Sequence, residues 1–157
     1  MTAVSAVQAG RRGDERKALE GIVETILVGA GFTKENKPRG GIQLYADAPN
    51  PGSYMSNCKL GDHNADFVIR LLDGRILAIE CKASNSEVNG YKRLNKEVVV
   101  DAGDWTRKFG ETSVISAAAL RGVFKAENVE QAQTQKVYIF WWHQMNTLED
   151  FLNNAIP

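Results

Sequence analysis

The sequence predicts an α/β fold, a central mixed β-sheet flanked by helices. Three observations carry this. Between Asp66 and Lys82 two apolar runs flank Asp73-Gly74, which reads as a hairpin. Stretches of helical period lie on both sides of that hairpin. The order of elements is helix, three strands, helix, strand, short helix, strand, helix, which is that of an α/β domain.

The bulk numbers fit one domain over residues 1–157. Hydrophobic residues make up 43% and charged residues 24%, ordinary globular values. The first dozen residues lack a clear period and are expected to be mobile. No apolar run approaches the roughly 18–20 residues of a membrane span. The N-terminus lacks a basic segment followed by a long apolar core, so no signal peptide is expected and the cytoplasm is the expected location. Cys58 and Cys81 are expected as two free thiols.

Asp14–Ala30 reads as an amphipathic helix, with Leu19, Val23, Ile26 and Leu27 on the apolar stripe and Gly31 as its stop. Gly41–Ala46 reads as a short strand. A long connection with turn signals at Pro49, Pro51, Gly52 and Gly61 then runs to about Asn64. Asp66–Leu72 and Arg75–Lys82 are the central strands. Asn89–Phe109 is a second helix, because Tyr91, Leu94, Val98, Ala102, Trp105 and Phe109 form one stripe. Ser113–Leu120 reads as a strand, Glu127–Gln133 as a short helix and Val137–Trp142 as a buried strand. Thr147–Asn154 closes the chain as a helix, with Thr147 and Asp150 placed to cap it.

The chemistry gathers on the hairpin. Residues two apart in a strand share a face, so Glu80 and Lys82 emerge together and Cys81 points away. Asp66 stands on the neighbouring strand. Two carboxylates and a lysine at one hairpin end suit phosphodiester hydrolysis. A divalent cation can neutralise charge on phosphorus and acidify a water. Mg²⁺ takes a few carboxylate and carbonyl oxygens, here Asp66, Glu80 and the Cys81 backbone carbonyl. Lys82 then stands where it can orient or activate the water. Mn²⁺ is expected to substitute.

Asp66 followed by Glu80-Cys81-Lys82 resembles the motif of the PD-(D/E)xK nuclease superfamily, with Ala65 in place of the nominal proline. The run I-E-C-K-A-S-N-S-E-V-N-G-Y-K-R-L-N-K-E is similar to type II restriction endonucleases of the XamI-like group, and G-V-F-K-A-E-N and I-F-W-W-H fit the same likeness. The resemblance implies a restriction-endonuclease-like core (αβββαβ) and a Mg²⁺-dependent endodeoxyribonuclease. It implies a catalytic acid on the first helix ahead of Gly31-Phe32, for which Glu20 is the best match and Glu24 points further outward. Double-stranded DNA is then the substrate, a homodimer the simplest assembly for a palindromic site, and a DNA methyltransferase the partner acting on the same site.

Lys plus Arg (19) balances Asp plus Glu (19), which counts against binding nucleic acid by overall charge. Locally, Lys82–Lys96 holds four basic residues and one acidic. Ser84, Asn85, Ser86 and Asn89 follow the catalytic strand, and Lys92, Arg93 and Lys96 lie off the apolar stripe. Together they are the expected phosphate contacts. Tyr54, Asn57, Lys59 and His63 in the long connection are candidates to read bases. Other readings keep the fold: a structure-selective repair or recombination nuclease, such as a junction resolvase, and a non-catalytic DNA-binding module. A zinc site built from Cys58, Cys81, His63 and His143 is disfavoured, since no CxxC or HxxxH pair supports it.

Overall fold

The computed structural model describes residues 3–155, with side chains described from residue 13 to 155. A long helix α1 (Ala3–Gly29) leads into a six-stranded mixed sheet. The strands are β1 (Thr33–Lys34), β2 (Ser53–Leu60), β3 (His63–Arg70), β4 (Ile76–Ser84), β5 (Val114–Gly122) and β6 (Val137–Trp141), and they lie in that order across the sheet. Hairpins make β2, β3 and β4 antiparallel, whereas β5 and β6 run parallel to β4. Parallel neighbours need crossovers. The first is a continuous helical run of α2 (Glu87–Tyr91), a π-helical segment (Lys92–Val98) and α3 (Val99–Phe109). The second is α4 (Ala126–Thr134), and α5 (Asn146–Asn154) ends the described chain.

Two apolar layers cover the sheet. Leu19, Val23 and Leu27 of α1 and Leu148 and Leu152 of α5 pack on Phe67, Ile69, Leu77, Ile79 and Cys81. On the other face Trp105 of α3 covers Val68, Ile76 and Ala78, and Leu94, Val98 and Ala102 cover Ala118 and Leu120. The Trp105 indole also donates to Leu60 O at 2.7 Å, tying α3 to the end of β2. Both cysteines are free and buried, Cys81 in the first layer and Cys58 in the second.

Several expectations are corrected. The first of the three strands is Ser53–Leu60, not Gly41–Ala46, which contributes only a single bridge from Ile42 to Leu60. The stretch expected to connect Ala46 to Asn64 is therefore mostly sheet. Gly61, at φ 62°, makes the tight turn between β2 and β3. The second hairpin has a three-residue loop: Gly74 N donates to Leu71 O, and Gly74 sits at φ 94°. Helix α1 begins well before Asp14, because Ala3–Ala9 is rich in alanine and has no breaker. The mobility expected of the first dozen residues concerns side chains outside the described residues. Strand β6 is an edge strand and only half-buried, with Trp142 exposed under Arg121. Thr147 lies inside α5 and its hydroxyl donates back to Gln144 O at 2.7 Å, so it does not cap the helix.

Candidate active site

The site lies where β3 and β4 part. Their register pairs Phe67 with Ile79, and the next step would set Asp66 opposite Glu80, but pairing stops before it. The alternation of both neighbouring strands slips at the same level. Met55 and Cys58 on β2, and Ala65 and Val68 on β3, pack toward α3 although they are three apart. Asn57 takes the slip on β2 at φ 49°, a conformation asparagine tolerates. The Cys81 N–H, released from the ladder, donates to Asp66 Oδ2 at 2.6 Å. Asp66 thus clasps the backbone between Glu80 and Lys82.

Asp66 also borders a cleft of about 370 Å³ with Arg16, Glu20, Ser56 and Asn57. Burial, and then the Asp66 carboxylate, push Glu20 above the usual carboxylate range. Arg16 Nε lies 3.4 Å from Glu20 Oε1. Glu24 lines the same cleft, accepting from the Tyr54 hydroxyl at 2.8 Å and lying 3.4 Å from Lys34 Nζ.

Glu80 and Lys82 point to the opposite face, toward the π-helical segment and α3, while Cys81 enters the α1 layer. Glu80 is 4% exposed, and its Oε2 has no hydrogen-bond partner among the described residues. Its carboxyl lies against that of Asp101. Burial, with Asp101 and to a lesser degree Asp66 adding to it, holds Glu80 well above the carboxylate range. Lys82 Nζ stands 4.0 Å from Glu80 Oε1 and 3.3 Å from Glu97 Oε1. His63 is caught between two acids of α3, with Nδ1 3.2 Å from Asp101 Oδ1 and Nε2 2.6 Å from Asp104 Oδ2. These contacts, the Asp104 hydrogen bond first, raise the His63 pKa.

Sequence reasoning did not find Glu97, Asp101 and Asp104. Each precedes a buried member of the apolar stripe (Val98, Ala102, Trp105), so all three border the face that packs on the sheet. That position was the available signal. The π-helical turn ahead of α3 sets the phase of this row.

The structure brings together Glu80 and Lys82, and places Asp66 and Glu20 on the other side of the parted strands. Among the expected phosphate contacts, Ser84 is buried and its hydroxyl donates to Ser86 O at 2.7 Å. Ser86 Oγ caps α2 by accepting from Asn89 N at 3.1 Å. Both serines therefore build the turn after β4. Asn85 and Asn89 join through their amides at 2.7 Å. Lys92 and Lys96 are exposed, Lys96 over the Tyr91 ring, and Arg93 is half-buried. The candidates for base reading are mostly occupied: Tyr54 is in the core, and Asn57 accepts from Asn64 and, through its carbonyl, from Lys37. A larger cleft of about 820 Å³ lies at the opposite ends of β4, β5 and β6, around Arg75, Val114 and Val137, and holds none of these residues.

A mixed sheet with an acid and a lysine side by side at the carboxyl end of its central parallel strand, and a second acid across a parted hairpin, defines a restriction-endonuclease-like core. Comparison with known sequences makes the assignment specific. The profile of the XamI restriction endonuclease family matches residues 1–141, and the chain belongs to that family. The type II restriction enzyme XamI of Xanthomonas campestris pv. amaranthicola is 35% identical over 120 residues, which cover 76% of this chain and 43% of that enzyme. The match thus spans less than half the length of that relative. Among the described residues no helix is long and apolar enough to cross a membrane.

Proposed function

We propose that this chain is a Mg²⁺-dependent endodeoxyribonuclease of the restriction type, cutting double-stranded DNA. The observation that carries this is the pairing of buried Glu80 with Lys82 beside the Asp66 clasp, in a chain of the XamI family. A cytoplasmic location, a homodimer and a methyltransferase acting on the same DNA site belong to the same reading.

The donors present suit the cation. Glu80 offers a buried oxygen that no hydrogen-bond donor among the described residues reaches. Among the described residues no three His, Cys, Asp or Glu side chains form a metal cage. Mg²⁺ does not need one, because it takes one or two carboxylates and completes its shell with water and substrate phosphate. Asp66, Glu80 and the Cys81 carbonyl are the groups to hold it, and Mn²⁺ is expected to serve in its place. The bound cation supplies Lewis-acid neutralisation of the phosphate and a more acidic water.

The chain's own groups do the rest. Lys82 donates to Glu97 and stands 4.0 Å from Glu80 Oε1, and an ammonium carries three donors, so it can also serve the attacking water or a phosphate oxygen. Asp66 fixes the backbone that carries Glu80 and Lys82. Glu20, beside Asp66, assists from α1. Asn85, Asn89, Lys92, Arg93 and Lys96 follow the catalytic strand and carry contacts to the DNA backbone.

A substrate panel tests this reading. Unmethylated plasmid, a four-way junction and single-stranded DNA are incubated with Mg²⁺ or with EDTA. Discrete plasmid fragments that need Mg²⁺ are expected. Selective cutting of the junction would replace restriction with resolution, and binding without cleavage at any metal concentration would leave a DNA-binding module.

A further inference from the structure

Glu80 meets a second acid from the helix side of the sheet. Asp101 of α3 lies against its carboxyl, and the Asp101 orientation is fixed from outside by His63, whose Nδ1 stands 3.2 Å from Asp101 Oδ1. Glu80 is 4% exposed and its Oε2 has no partner. Two carboxyl groups in contact, one cut off from water, are unfavourable unless a proton or a cation stands between them. For packing alone an amide at position 101 would serve better, since it could donate to Glu80. Asp66 is the more committed of the two neighbours: its Oδ2 is taken by the Cys81 N–H, and it lines the cleft on the α1 side.

We propose that Asp101 is a ligand of the divalent cation, which sits between Glu80 and Asp101 on the α3 side of β4. This rests on the metal-dependent nuclease reading and, because Asp66 stands on the α1 side, puts Asp101 of the crossover helix in its place beside Glu80 in the donor set. The donors are hard oxygens, so the cation is of the Mg²⁺ and Mn²⁺ class. His63 acts on the ion through Asp101, as outer partners of metal ligands do.

The test measures Mn²⁺ binding by calorimetry, and Tm with and without Mn²⁺, on the DNA-free protein and on Asp101→Asn and Asp101→Glu. Wild type is expected to bind Mn²⁺ in the millimolar range or tighter and to melt higher with it. Asp101→Asn is expected to bind at least about tenfold more weakly, to melt no lower than wild type without metal, and to lose the rise in Tm. Asp101→Glu keeps the carboxylate and is expected to retain binding that Asp101→Asn lacks. Wild-type affinity in Asp101→Asn overturns the role of Asp101 and leaves the nuclease reading standing. A lower metal-free Tm with lost binding in both variants marks a packing role and also overturns it. Absence of Mn²⁺ binding by the wild type removes the metal-dependent reading and this proposal together.

Discussion

Glu80 combines almost complete burial with a carboxylate oxygen that no donor reaches, next to another acid. A residue kept for stability would not be built this way. Glu80→Gln is therefore expected to raise metal-free stability at pH 8 by about 1 kcal/mol, roughly 3 °C in Tm, because the amide donates to Asp101 without binding a proton. Differential scanning calorimetry checks this, and a variant less stable than wild type would contradict it. Glu80 and Lys82 were legible in the sequence because strand parity alone sets them on one face. Asp101 and Glu97 were not, because an acid bordering a helical stripe reads as solvated until the partner strand is known. The contacts span 21 and 15 residues of chain, Glu80 to Asp101 and Lys82 to Glu97, and no local pattern encodes them.

Strand β2 marks the limit of the reading at the level of elements. Pro49, Pro51 and Gly52 announce a loop, and Ser53–Leu60 then breaks its own alternation at Asn57, so the period that reveals a strand is absent. Helix α1 and the stripe of α3 were legible because each keeps its period over many residues, and strands β3 and β4 because their apolar runs flank the Asp73-Gly74 turn. Tyr91 alone left that stripe: it is exposed and lies beneath Lys96. Two substitutions test how the elements hold the site. Trp105→Ala removes a buried indole and its bond to Leu60 O, and is expected to cost about 3–5 kcal/mol in urea unfolding. Gly122→Ala strikes where β5 passes β4: Gly122 has φ 104°, and a Cβ there would lie 1.9 Å from Ser84 O. It is expected to cost at least about 2 kcal/mol by the same measurement. A neutral result in either case would contradict the packing described.

The whole molecule carries equal numbers of basic and acidic residues, so the proposed grip on DNA rests on where the charges lie. Lys82 is neutralised by Glu97, and Asp101 and Asp104 line the same side, which leaves Lys92, Arg93 and Lys96 as the basic surface after β4. Lys96→Ala is expected to weaken DNA binding similarly on all sequences and to reduce the salt slope by about one, read by titrating labelled duplex at several salt concentrations. An unchanged slope would place the DNA elsewhere. The sheet order and the parted β3–β4 hairpin bring α1, β3, β4 and α3 to one place, and the account stands on what happens there. The most direct measurement compares the cleavage rate of unmethylated DNA in Mg²⁺ by wild type, Glu80→Gln and Lys82→Ala, with Tm recorded for each. The account predicts folded variants and a loss of at least about 100-fold in both; a folded variant cutting at the wild-type rate would contradict it.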